Sequence, residues 1–143
     1  MKILTITSPG RPITPADLAA VEERAGLSFP AYFRDFLLKY SGCLVKEGCY
    51  EGVSSISGFL PLRSSRSASI EMILEGYRMD HNTREWLPFA IDAGGWIYAI
   101  SLAEATYGQV WLDRFNSGEN NPFKFIAASF ESFIDQLSDE ELF

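Results

Sequence analysis

The chain holds one histidine, His81, whose close acidic neighbour in sequence is Asp80. A lone imidazole with no cysteine cluster does not make a zinc site, so no metal is expected. One histidine also restricts any Ser–His or Cys–His pair, and no GxSxG elbow is present. Cys43 and Cys49 enclose Leu44-Val45-Lys46-Glu47-Gly48, which is neither the CxxC of a redox motif nor a metal knuckle. They read as two reduced thiols, or as partners facing each other across a tight hairpin. Neither GxxxxGK[ST] nor GxGxxG occurs, so no phosphate-cradling loop and no cofactor is expected. The carboxylates of Glu47, Glu51, Asp92, Asp113 and Glu119 fall in or beside loops. Nothing in their spacing fixes a pair at the separation that glycoside hydrolysis requires. No catalytic residue is assigned, and the chain is expected not to be an enzyme. A pocket gathering two or three carboxylates with raised pKa values would reverse that expectation.

Aromatic residues carry the other candidate chemistry. Trp86, Trp96 and Trp111 flank or occupy a hairpin region, with Tyr98 nearby. On a strand, Trp96, Tyr98 and Ile100 share one face and Ile97 and Ala99 the other, so both faces are apolar. One face then covers the core while the other is packed by a helix. The alternative is an aromatic patch rimmed with acids, which suits a protein interface. On that reading the partner-binding residues are Trp96 and Trp111 as anchors, with Asp92, Asp113 and Glu119 around them.

The elements that must position these residues follow from caps and periodicity. Thr14-Pro15-Ala16-Asp17 supplies a hydroxyl N-cap, proline at N1 and a carboxylate at N3. Leu18, Val21 and Ala25 recur at helical spacing and Gly26 ends the run. A second helix begins at Pro30, with a stripe of Phe33, Phe36, Leu37 and Tyr40, and stops at Ser41-Gly42. These two helices predict an N-terminal α-hairpin. Leu44 to Leu62 reads as one or two short strands with turns. Arg63 to Ser69 reads as a polar, basic loop. Ile70, Ile73, Leu74 and Tyr77 predict a middle helix that frays by His81-Asn82.

Leu87 to Ile91 and Trp96 to Leu102 are apolar runs about the hairpin turn Asp92-Ala93-Gly94-Gly95. Gly108 to Asp113 predicts a further strand, with Val110 and Leu112 on one face and Gln109, Trp111 and Asp113 on the other. Phe123 to Ala127 predicts another, with Phe123 and Phe125 on one side. Ser129 caps a last helix whose Phe130, Phe133, Ile134 and Leu137 face inward. Ser138-Asp139-Glu140-Glu141 resembles a second capping box and predicts a short extra turn in an acidic tail. Helices segregated from a meander of strands give an α+β fold: an antiparallel sheet of about four to six strands with the helices packed on it.

With 143 residues and 47% apolar composition, the chain fits one domain, residues 1–143. Its net charge of −7 disfavours nucleic acid and anionic membrane and favours a basic partner through steering. Arg63 and Arg66 form only a small basic spot, far short of a phosphate-binding stripe. No apolar run approaches the ~20 residues of a membrane span, and Met1-Lys2-Ile3-Leu4-Thr5 lacks a signal-peptide core, so a cytoplasmic location is expected.

Three blocks in order resemble the SUKH superfamily. The first is Leu18-Ala19-Ala20-Val21-Glu22-Glu23-Arg24-Ala25-Gly26-Leu27 followed by Phe29-Pro30-Ala31-Tyr32-Phe33-Arg34-Asp35-Phe36-Leu37 and the turn Tyr40-Ser41-Gly42. The second is Leu87-Pro88-Phe89-Ala90-Ile91-Asp92-Ala93-Gly94-Gly95. The third is Ile126-Ala127-Ala128-Ser129-Phe130-Glu131-Ser132-Phe133. The chain departs from the family pattern at Cys43, where a glycine is frequent, and at Trp96, where Asp or Asn is common. That superfamily includes fungal cell-wall-synthesis regulators and bacterial immunity proteins. The resemblance implies a protein that binds and neutralises a cognate toxin, or alternatively a non-catalytic regulatory scaffold or ligand-binding adaptor. An acidic inhibitor set against a basic toxin cleft is electrostatically consistent with the first.

Overall fold

A computed structural model describes residues 1–50, 54–62, 68–81 and 83–139. Glu51, Arg63, Arg66, Asn82, Glu140 and Glu141, singled out above, lie outside the described residues. The order is β1 (Ile6–Ser8), α1 (Pro15–Ala25), α2 (Ala31–Tyr40), β2 (Leu44–Val45), β3 (Cys49–Tyr50), β4 (Ser54–Ser55), β5 (Gly58–Phe59) and α3 (Ile70–His81). Then come β6 (Trp86–Ile91), β7 (Ile97–Ser101), a 3₁₀ turn (Glu104–Thr106), β8 (Val110–Asp113), β9 (Phe123–Ala127), α4 (Phe130–Asp135) and β10 (Leu137–Ser138). The fold is α+β, as the segregation of helical and alternating patterns predicts.

Local chemistry sets the helix ends. The Thr14 hydroxyl accepts the Asp17 amide at 3.2 Å, and the Asp17 carboxylate accepts the Thr14 amide at 2.9 Å. This reciprocal pair satisfies two amides that an open helix end would leave bare. Gly26 closes α1 in the left-handed conformation at φ 67° and donates to Glu22 and Glu23. Glu22 then ties α1 to the next helix, accepting from the Phe29 amide and from Arg34, both at 2.7 Å.

The main sheet is antiparallel in the order β5-β6-β7-β8-β9. An irregularity in β6 between Pro88 and Ala90 inserts one residue, so Phe89 and Ala90 are both fully buried. On one sheet face, Leu87, Tyr98, Ile100, Val110 and Leu112 are buried. This face meets α2 and α4 through a network of rings. Phe130 contacts Phe33, Phe36 and Phe89 edge-on at centroid distances of 5.7, 4.9 and 5.0 Å. Phe133 stacks on Tyr50 at 4.7 Å and meets Phe89 and Tyr98 edge-on. The edge-to-face geometry places positive ring edges on negative ring faces.

Three details depart from the sequence reading. β1 has no alternating apolar pattern; it exists because it pairs with β2, as Ile6 opposite Val45. Among the described residues, Leu44 to Leu62 holds four short strands rather than one or two: β2, β3 and β5 are completed by the distant β1, β10 and β6, while β4 pairs with the neighbouring β3. Leu137 is fully buried, but as a strand residue beyond the end of α4: it pairs with Tyr50, and Ser138 with Cys49. Ser138 is thus a strand residue, and the turn expected over Ser138-Asp139-Glu140-Glu141 extends outside the described residues.

Gly10 marks the closest backbone approach. A Cβ there would lie 2.0 Å from the Ser41 carbonyl oxygen, and the Gly10 amide donates to the Cys43 sulfur at 3.3 Å. Gly10→Ala is expected to push the N-terminal segment off the end of α2. The expected cost is about 1–3 kcal/mol, read as a lower denaturant midpoint at unchanged slope. An unchanged midpoint would refute the tight packing.

Candidate functional site

The second face of the main sheet is built by the complementary alternation. Ala99 pairs with Trp111 and Trp111 with Phe125, while Asp113 pairs with Phe123. Four aromatic rings form a chain across this face. Trp86 stacks on Phe123 at 4.2 Å with an interplanar angle of 7°. It also meets Trp111 edge-on at 6.1 Å, and Trp111 meets Phe125 edge-on at 5.6 Å. Trp86, Trp111 and Phe123 are half-buried, and Phe125 is 48% exposed. Ala99, fully buried, keeps the space between the larger rings free of bulk. The Trp111 indole donates to Gln109 at 3.1 Å. β9 carries Phe123 and Phe125 on the last strand of the sheet, so this patch sits at a sheet edge.

α3 covers another part of the same face. The Tyr77 hydroxyl donates to the Asp113 carboxylate at 2.9 Å, and Asp113 is only 3% exposed. Burial, then the charge and hydrogen bond of Asp113, push the Tyr77 hydroxyl far above its ordinary range. Asp113 is thus an interior group rather than part of an acidic rim. The alternation placed it correctly on the face of Trp111, but only the docking of α3 determines that this part of the face is covered.

The remaining assigned residues gather at the β6–β7 turn. Asp92 accepts from the Gly94 and Trp96 amides through Oδ1, each at 2.8 Å, so this oxygen holds the turn. Gly95 takes φ 92° there, which favours glycine. β7 begins at Ile97, leaving Trp96 in the turn, partly packed on the core. Its indole donates to Asn116 at 2.6 Å, drawing the β8–β9 loop onto the turn. In that loop Glu119 is ion-paired with Arg114. Trp96, Asp92 and Glu119 therefore lie at one end of the sheet, and each is engaged within the chain. Trp111 belongs to the separate ring chain with Trp86, Phe123 and Phe125. The sequence reading left those three outside the site, although their alternation with Trp111 was visible.

Other chemical candidates are placed as follows. Glu47 is 8% exposed, and both its oxygens accept the Thr5 amide at 2.8 Å. Cys43 and Cys49 are free thiols. Among the described residues, no group of three His, Cys, Asp or Glu side chains is arranged to hold a metal ion. Among them too, no helix is long and apolar enough to cross a membrane.

A five-stranded antiparallel sheet with helices on both faces and an open chain of rings defines an α+β protein with one partly covered sheet face. The chain belongs to the SMI1 / KNR4 family (SUKH-1), which it matches over residues 12–136. It is also similar to the SPbeta prophage-derived uncharacterized protein YokK of Bacillus subtilis (strain 168). The two are 25% identical over 151 residues, spanning 90% of this chain and 77% of the relative.

Proposed function

We propose that this chain is a non-catalytic immunity protein that neutralises a cognate basic protein toxin by occluding it. The observation that carries this reading is the ring chain Trp86–Trp111–Phe125 with Phe123. Tryptophan and other large aromatics dominate binding energy because they bury large area with few rotatable bonds. Here they are preordered by one another and by the sheet, so little side-chain freedom is lost on docking. The net charge of −7 supports a basic partner through faster association. Membership of the SUKH-1 family and likeness to a prophage-derived protein agree with a role in competition between mobile elements.

Phe125→Asp tests this reading cleanly, because the side chain is already half in solvent and its loss leaves the core intact. The partner to use is a basic toxin domain, to be sought in the gene adjacent to this chain's own. Binding to it is expected to weaken by about 30-fold or more, with thermal stability unchanged. Co-expression of the variant should fail to rescue growth where the wild-type chain rescues it. Full protection by a folded Phe125→Asp chain would overturn the docking surface. Binding of the wild type to several housekeeping proteins but to no toxin would favour the regulatory scaffold.

A further inference from the structure

We propose a second, separate site: the cleft between α1 and α3 binds a small organic anion through Arg24 and Arg84. The cleft encloses about 500 Å³, within the usual range for small-molecule sites. Its apolar wall comes from Val21, Leu27 and Leu74, with Met72 at the lip. Three arginines line it, Arg24, Arg78 and Arg84, a quarter of the 12 basic residues in an acidic chain.

The three arginines are not equivalent. Arg78 is committed to Glu75, donating through Nε at 3.1 Å and Nη2 at 2.6 Å. Arg24 and Arg84 form no ion pair among the described residues. Both still act on Glu75, whose carboxyl is held below its ordinary range first by the Arg78 hydrogen bond, with Arg24 and Arg84 adding to the effect. Both line the one cleft, whose Glu75 is already bonded to Arg78. Glu71 also lines the cleft, so two acidic residues line it against three arginines.

Backbone geometry fixes the pair. Arg24 lies in the last turn of α1, and Arg84 lies just before β6. The Arg84 guanidinium lies over Gly26, where an added Cβ would be 3.3 Å from Nη1. The glycine that caps α1 thus also lets the guanidinium settle at the cleft mouth. Planar guanidinium forks match the oxygens of carboxylates and phosphates, and the apolar wall suits a hydrophobic body. The ligand chemistry is a phosphate monoester or carboxylate on a compact apolar group.

Phenyl phosphate is the probe, titrated into the full chain and followed by backbone amide chemical shifts. Saturable shifts at Leu27, Met72 and Arg84 are expected. Affinity should exceed that for inorganic phosphate, which lacks the apolar body, by about tenfold. Benzoate in a parallel titration distinguishes a carboxylate from a phosphate preference. Arg24→Gln and Arg84→Gln should each weaken binding by about tenfold. Met72→Asp, at a side chain 57% exposed, keeps a test open if an arginine variant fails to fold. It should weaken binding by placing a carboxylate at the lip. Shifts that do not saturate, or that survive all three substitutions, would overturn the site. Because Phe125 lies on the main sheet, failure here leaves the toxin-binding surface untouched, and the converse holds.

Discussion

Phe130→Ala is expected to destabilise the protein by about 3–5 kcal/mol, the range for removing a fully packed phenyl ring. The side chain is 1% exposed and touches rings from α2 and β6, and it stacks on Tyr32 at 5.7 Å. Its loss removes apolar burial and leaves a void bounded by Phe33, Phe36 and Phe89. Those residues are buried and belong to α2 and β6, so they cannot close the gap without moving the helix toward the sheet. For a domain of this length the thermal midpoint should fall by roughly 10 °C. Chemical denaturation should show a lower midpoint at the same slope. A loss below about 1 kcal/mol would mean that the ring network is not the centre of the core.

Tyr77→Phe is expected to cost about 1.5–3 kcal/mol near neutral pH, the value of a hydrogen bond to a buried charged group. The substitution keeps the ring on Asp113 but removes its proton donor. It should also change the alkaline response of the protein. Burial first, and Asp113 second, hold the Tyr77 proton more tightly in the folded chain than in the unfolded one, whose tyrosine ionises near 10.0. This contribution is complete below pH 10.0 and is lost as pH rises from there toward the folded value. Tyr32, also raised mainly by burial, acts in the same direction. Wild-type stability should therefore fall above pH 10.0, and Tyr77→Phe should fall less steeply. Parallel slopes for the two proteins would place the Tyr77 hydroxyl in solvent rather than against Asp113.

Features encoded by neighbouring residues were legible in the sequence. The cap at Thr14, the stop at Gly26, the stripe on α2 and the turn at Asp92–Gly95 each depend on a few adjacent side chains, so propensity and spacing suffice. The alternation in β7 and β8 likewise put Trp111 and Asp113 on one sheet face. The ordered blocks from Leu18 to Phe133 carried the family resemblance, and the match over residues 12–136 agrees with it.

Tertiary structure decided what those faces meet. β1 and β10 owe their existence to partners far along the chain, Val45 and Tyr50, so no local period announces them. Asp113 and Trp111 share a face, yet α3 lies over one and leaves the other half open. Asp92 and Glu119 read as free acids until the turn amides and Arg114 are seen to occupy them. The cleft arginines Arg24 and Arg84 are sixty positions apart, and only the packing of α1 beside α3 brings them together. A sequence pattern fixes the side on which a residue points; what covers that side depends on long-range contacts that no local window contains.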